Sequence, residues 1–341
     1  MANSTLEIEP TETKGPTHLL SLAGAAAAGG LLAVQTRING ELGSRLDNGL
    51  MAALIAFVTG LALITIGLLA HKGARQRLKT VRPLVQSGAL PWWTLLGGAV
   101  GSTFVVSQGL VAAMLGTALF TVAAVAGQVV GGLVLDRIGV GPGGSQAVTT
   151  RRLVGTLLCL AAVALSVSAK LESDIALWVI ALPLVGGAAL AWQQATNGRV
   201  RASTQSVLVA TLVNFIAGTV LVTAVAVTHG LVSGFPTAFP TDPWLYLGGV
   251  SAIIFVAATA ALVHRTGVLL LGLAIIAGQL ITSLVIDFFS EGGAVDGLTL
   301  AGTVLALIAV LIAGSRRRAR GTGNEAPARR VPVDNAQTSV R

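Results

Sequence analysis

The sequence predicts an all-α integral membrane protein of ten transmembrane helices, built as two inverted five-helix repeats. Three observations carry that prediction. First, the 341-residue chain is 53% hydrophobic and only 11% charged, with mean hydropathy +0.81. Soluble domains carry about 25% charged residues, so water cannot solvate such a surface and the bilayer is the expected solvent. Second, ten apolar runs follow one another, each near the roughly 20 residues needed to cross the hydrocarbon core. Third, the two halves match each other under simple shifts of register.

The runs fall at 18–38, 49–70, 92–113, 117–136, 152–169, 175–196, 206–228, 244–263, 267–288 and 298–314. The stretches 92–136 and 244–288 are too long for one crossing, and are expected to break at Gly116 and at His264-Arg265. The 42 glycines suit helices that pack closely in lipid. With the N-terminus inside, cytoplasmic segments hold 19 of the 22 Lys and Arg; only Arg37, Arg45 and Lys170 lie opposite. Basic loops stay cytoplasmic, so both termini are expected on the cytoplasmic side of the inner membrane. Residues 1–17 and 315–341 are polar and are expected to be disordered, while 18–170 and 171–314 form the two repeats. Glu7, Glu9 and Glu12 stand where a signal peptide carries basic residues, so the first apolar run is expected to be retained.

A shift of 158 places Ala33, Gln35, Asn39, Gly40, Phe57 and Gly60 on Ala191, Gln193, Asn197, Gly198, Phe215 and Gly218, with 9 identities in 28 positions. A shift of 151 places residues 97–136 on 248–287 with 13 identities in 40, among them Gln128 on Gln279 and Asp136 on Asp287. Shared apolar composition does not account for matched Gln, Asn and Asp. Each repeat holds five spans, an odd number, so the second enters the membrane from the opposite side. Inverted repeats recur in secondary transporters, where mirrored halves expose one central site alternately to each side.

Other function classes fit poorly. The net charge of +8 gathers in the tail after Gly314 and between His71 and Arg82, with no folded basic face, so nucleic acid is not an expected partner. One cysteine, Cys159, supports neither a disulfide framework nor a zinc site. The four histidines are scattered, and no HExxH, GxSxG, P-loop or acidic pair appears. No catalytic residue, metal or cofactor is therefore expected, and transport would be secondary or facilitated. A non-transporting intramembrane scaffold is the alternative. The expected partners are a small-molecule substrate and the lipid bilayer, and a monomer is structurally self-sufficient.

The segments QTRINGELG, AALIAFVTG, PWWTLLGG, GTALFTVAAVAGQ and LVLDRIG resemble the YdcZ-type inner-membrane exporter domain of the drug/metabolite transporter superfamily. WQQATNGRV, ATLVNFIAG, LGGV and IIAGQLITSLVID are similar to a second copy. The resemblance covers nearly all of residues 20–314. It implies a ten-helix basket in which helices 1–4 and 6–9 line a central cavity and helices 5 and 10 are peripheral. It also implies transport of small metabolites, often outward. Small multidrug-resistance relatives carry a glutamate in the first helix; this chain has no acidic residue between His18 and Asn39.

Polar side chains in lipid usually face a cavity or a partner helix. Gln35 and Asn39, four apart on one helix face, are repeated by Gln193 and Asn197, with Gln194 beside them. They are candidates for the two ends of a pathway, and equally for interhelical hydrogen bonds. Gln128 and Gln279, mid-helix and each after a glycine, are candidate substrate contacts; Gln108 has only Thr259 as its counterpart. Asp136 and Asp287 are candidates for coupling or for anchoring, for example by pairing Asp136 with Arg137. Arg37 is expected to snorkel to the outer interface. Pro183, Gly186 and Gly187 are a candidate hinge. Trp92, Trp93 and Trp244 suit an interfacial belt.

Overall fold

In a computed structural model, the described residues are 16–142, 144–145, 147–168, 177–290 and 297–314. The terminal segments expected to be disordered lie outside them, apart from 16–17, as does Lys170. Eleven α-helices are described: α1 (Pro16–Arg45), α2 (Gly49–Ala70), α3 (Lys72–Leu78), α4 (Val81–Gln86), α5 (Gly97–Leu115), α6 (Thr117–Ile138), α7 (Thr150–Ser168), α8 (Leu177–Thr204), α9 (Val207–Ser233), α10 (Gly248–Phe289) and α11 (Gly297–Gly314). Single 3-10 turns at Trp92–Leu96 and Pro243–Tyr246 lead into α5 and α10. Among the described residues six helical stretches are long and apolar enough to span a membrane, in α2, α5 with its 3-10 turn, α6, α8, α9 and the Gly272–Phe289 half of α10, and α11 is a shorter apolar helix. The chain is thus a multi-pass membrane protein.

Glycines set how closely the helices approach, and they do so in reciprocal pairs. A Cβ on Gly29 of α1 would collide with the Ile275 carbonyl of α10; a Cβ on Gly187 of α8 would collide with the Ala124 carbonyl of α6. Residues 29 and 187 are related by the shift of 158, and 124 and 275 by the shift of 151. The same exchange relates Gly278 on Ala26 to Gly127 on Leu184, and Gly249 on Ala56 to Gly98 on Asn214. At the centre, Gly60 lies beneath the Phe215 ring and Gly218 beneath Phe57, and the two rings meet edge-on with centroids 5.7 Å apart. Each half therefore lays its first helix on the third and fourth helical segments of the other. The α2·α9 and α7·α11 pairs join like to like. Small residues are what permit backbones to come this close.

The break expected at His264-Arg265 is not a helix end: the backbone is helical throughout Gly248–Phe289. The helix is nevertheless not straight. Gly248 lies on Asn39 and Leu262 on Gly24, so the first part of α10 runs antiparallel to α1. Gly278 lies on Ala26 and Thr282 on Gly30, so the last part runs parallel to it. At about 1.5 Å per residue a straight helix would hold Leu262 and Gly278 about 24 Å apart, while their partners Gly24 and Ala26 are two residues apart. The expected break at Gly116 is real. Gly116 has φ 80°, a conformation that favours glycine, and it ends α5.

Gly116 ends a helix while Gly267, its partner under the shift of 151, lies inside α10, and the reason lies in the paired aspartates. Asp287 accepts the Thr117 N–H at 2.8 Å and the Ala118 N–H at 2.7 Å, one on each carboxylate oxygen. These are unpaired donors at the start of α6, so the carboxylate caps that helix and holds the break open. Asp136, its counterpart, is instead bound by Arg152 of α7 at 2.8 Å, not by the expected Arg137. Arg137 is adjacent in sequence and points to another helix face, whereas α7 brings Arg152 back alongside.

Candidate functional site

A cavity of about 260 Å³ opens between the halves. Its wall includes Leu32, Gln35, Phe57 and Phe104 together with their shift partners Leu190, Gln193, Phe215 and Phe255. Equivalent residues of both repeats thus line the cavity. From there it runs along α8 and α9, past Gln194, Asn197, Thr211 and Asn214 to Arg201. Its volume lies near the lower end of small-molecule sites, which are typically about 300–1,000 Å³ and mostly apolar with a few placed polar groups.

Asn214 organises the polar wall. Its Oδ1 accepts Gln193 Nε2 at 2.7 Å and Asn197 Nδ2 at 3.1 Å, tying α9 to α8. Gln35 is 4% exposed and its Oε1 has no hydrogen-bond partner. Beside the mouth, Arg199 donates to the Gly139 carbonyl at 2.8 Å and lies over Trp93, which packs on Trp192. Trp93 is therefore a structural contact, while Trp92 is exposed.

The opposite end is sealed. Asn39 Nδ2 donates to Gln108 Oε1 at 2.8 Å, Gln108 Nε2 donates to Thr36 Oγ1 at 2.9 Å, and Thr36 donates to the Leu32 carbonyl at 3.0 Å. All three side chains are buried, and they join α1 to α5. Beyond them a surface ladder runs from Arg37 to Glu41 at 3.5 Å, to Arg45 at 2.8 Å and on to Asp242 at 2.5 Å, with Arg45 also over Trp244. The hydrogen bond to Glu41, with the charge of Asp242, raises the Arg45 pKa above its ordinary value. Leu245 fills a buried pocket against Leu42, Leu46 and Ala52. The asymmetry extends to the helices: α1 and α2 pack along α5, whereas among the described residues α8 and α9 scarcely touch α10. One repeat is closed on itself and the other is open, and the cavity occupies the opening.

Of the residues singled out in the sequence, Gln35, Gln193, Gln194 and Asn197 reach the cavity, and Asn39 and Gln108 form the seal. Gln128 of α6, half-buried, and Gln279, 1% exposed with Oε1 unpartnered, both lie outside the cavity wall. Asp136, Asp287 and Arg37 are engaged as described. Pro183 sits inside an unbroken α8, with Gly186 pressed on Phe104 and Gly187 on Ala124. Asn214 did not stand out in the sequence because its counterpart, Ala56, is apolar and no matched polar pair marks the position. It also passed over the phenylalanines, although Phe57/Phe215 and Phe104/Phe255 are themselves matched pairs.

Residues 20–165 and 178–312 both match the family model described as "Putative inner membrane exporter, YdcZ". The chain belongs to the YdcZ family. Its several membrane-spanning helices agree with the inner-membrane placement of that family. No curated protein sequence matches the chain. A solved chain described as "Crystal structure of protein" superposes with TM-score 0.52 at 17% identity, covering 87% of this chain and 96% of that one. That likeness speaks to the fold alone. Among the described residues no group of three His, Cys, Asp or Glu is placed to hold a metal ion.

Proposed function

We propose that this YdcZ-family protein is a secondary or facilitated transporter that exports a small polar or amphipathic metabolite by alternating access. It would do so with ten membrane spans in two inverted five-helix halves and both termini cytoplasmic. The observation that carries the reading is the cavity: paired residues from both halves line it, one end is open, and the pseudo-equivalent end is sealed by Asn39, Gln108 and Thr36. The reciprocal glycine contacts support the inverted arrangement, and the antiparallel and parallel parts of α10 support counting it as two crossings. The nineteen basic residues on the cytoplasmic side of the assigned topology, against three opposite, support that orientation. In that orientation the open cavity faces the cytoplasm, where an exporter loads its substrate. Export then requires α8 and α9 to close on α10 while α1 and α2 part from α5.

The test compares intracellular and extracellular metabolites in cells lacking the protein, cells overproducing it, and cells overproducing Gln193→Leu/Asn214→Leu at equal membrane abundance. A compound that accumulates inside the deletion strain and outside the overproducer, and no longer does so in the variant, supports the reading. Accumulation inside the overproducer reverses the direction. No movement of any metabolite across growth conditions overturns transport in favour of a scaffold.

A further inference from the structure

The link between α2 and the next span carries charge of one sign. It holds Lys72, Arg75, Arg77, Lys79 and Arg82, and no acidic residue occurs between Asp47 and Asp136. All five basic residues are exposed. Arg75 donates to the Leu69 carbonyl at the end of α2. Among the described residues, the side chains of Lys72, Arg77, Lys79 and Arg82 have no carboxylate partner. The acids are engaged elsewhere: Glu41 and Asp242 with Arg45, Asp136 with Arg152, and Asp287 with the start of α6. Asp47 stands at the other end of α2. Such a run of like charge repels itself and attracts anions.

The link is built into the fold. His71 Nδ1 accepts the Ala74 N–H at 3.1 Å and turns the chain from α2 into α3. Ala74 is buried, and Leu78 and Val81 pack on the cluster that holds Val209 and Leu212 of α9. Leu84 and Val85 pack on the cluster that holds Val200 and Ala210. The apolar sides of α3 and α4 thus face the protein, and the basic side chains are left outward.

Its depth in the membrane is marked at both ends. One span ends at Ala70 and the next begins at Trp92, so residues 71–91 lie at one membrane surface. Trp92 is 65% exposed, and exposed tryptophans of membrane proteins sit at headgroup level. Leu69, exposed at the end of α2, lies next to the acyl chains. A phospholipid anion matches both requirements: its headgroup meets the cations while its chains meet Leu69. A soluble polyanion meets only the first.

We propose that α3 and α4, with Lys72, Arg75, Arg77, Lys79 and Arg82, form a binding surface for anionic phospholipid headgroups. Because the same helices pack on α9, which walls the cavity, lipid held there also steadies the helix bundle.

The test melts the full chain, purified in a non-ionic detergent, with rising mole fractions of phosphatidylglycerol or phosphatidylcholine. Phosphatidylglycerol is expected to stabilise the protein more, and less so at high salt. Each basic residue near an anionic surface contributes about fivefold in affinity, so Arg77→Gln/Lys79→Gln/Arg82→Gln should raise the half-stabilising mole fraction at least about tenfold. Lys79→Gln and Arg82→Gln singly should shift it the same way by less. Arg77→Lys/Arg82→Lys keeps the charge and should keep the preference, as should Arg316→Gln/Arg317→Gln/Arg318→Gln, which removes as many charges from the tail. If phosphatidylcholine stabilises equally, the inference is overturned. It is also overturned if the triple variant in α3 and α4 retains the preference, or if the tail variant loses it instead. Equal stabilisation by inorganic phosphate or polyglutamate would show a general anion surface and overturn the assignment to lipid.

Discussion

Replacing Asp287 and Asp136 one at a time by alanine separates two residues that the internal repeat makes equivalent. Asp287 holds the N–H groups of Thr117 and Ala118 at 2.8 and 2.7 Å, and both of those residues are buried. Loss of the carboxylate removes a helix cap, worth about 0.5–2 kcal/mol. It also strands buried donors at about 1–3 kcal/mol each, partly relieved by water at the helix end. Asp287→Ala is therefore expected to cost about 3 kcal/mol. Asp287→Asn keeps one acceptor and loses the charge facing the helix N-terminus, so it should cost about half as much. Asp136 and Arg152 form a pair with side chains 44% and 30% exposed. Such pairs contribute about 0–1 kcal/mol, and Asp136→Ala should cost no more. Unfolding of the purified protein by sodium dodecyl sulfate in mixed micelles measures all three variants on one scale. If Asp136→Ala is as destabilising as Asp287→Ala, the cap is not what holds the α5–α6 break, and the account of why the two repeats differ there is wrong.

Three further outcomes are expected. Gly29→Ala and Gly187→Ala each drive a methyl into a backbone carbonyl and should lower stability by about 3 kcal/mol. Gly132→Ala, with open space at its Cβ, should be neutral or slightly stabilising in the same unfolding titration. A double-mutant cycle of Asn39→Ala and Gln108→Ala should give a coupling of about 0.6–1.7 kcal/mol, the range of interhelical hydrogen bonds in membranes; additive losses would show that the amide pair does not bind the sealed end. Asn214→Ala frees Gln193 and Asn197 to turn toward cavity water, so it should cost only about 1 kcal/mol of stability yet markedly slow export in the metabolite comparison.

Much of the architecture was legible because its causes are local or additive. Hydropathy over a window reports what a segment buries in lipid wherever its neighbours lie, so α2, α6, α8 and α9 fall close to their expected runs. The helix break at Gly116 was legible, since glycine tolerates the positive φ found there. The continuation of α10 past His264 was not. Whether a glycine ends a helix depends on who satisfies the freed N–H groups, and for α6 that partner is 170 residues away in sequence. The Asp136 partner was misjudged for the same reason: Arg137 is the neighbour in sequence, Arg152 the neighbour in space.

The candidate site shows the same division. That amides at 35, 39, 193 and 197 matter could be read directly, because an amide within a lipid-spanning run must find a hydrogen-bond partner. Which amides meet could not. Gln108 and Asn214 have Thr259 and Ala56 as counterparts, so pseudo-symmetry had nothing to say about the clusters they build. The sequence alone determined a charge-poor helical membrane chain, its duplication, and its likeness to the YdcZ exporters, since each follows from composition or from register. Only the tertiary structure decided that one repeat is closed and the other open, and that a cavity without carboxylates lies between them. Those features arise from packing between residues far apart in the chain, and side-chain pairing across helices leaves no periodic trace along a sequence.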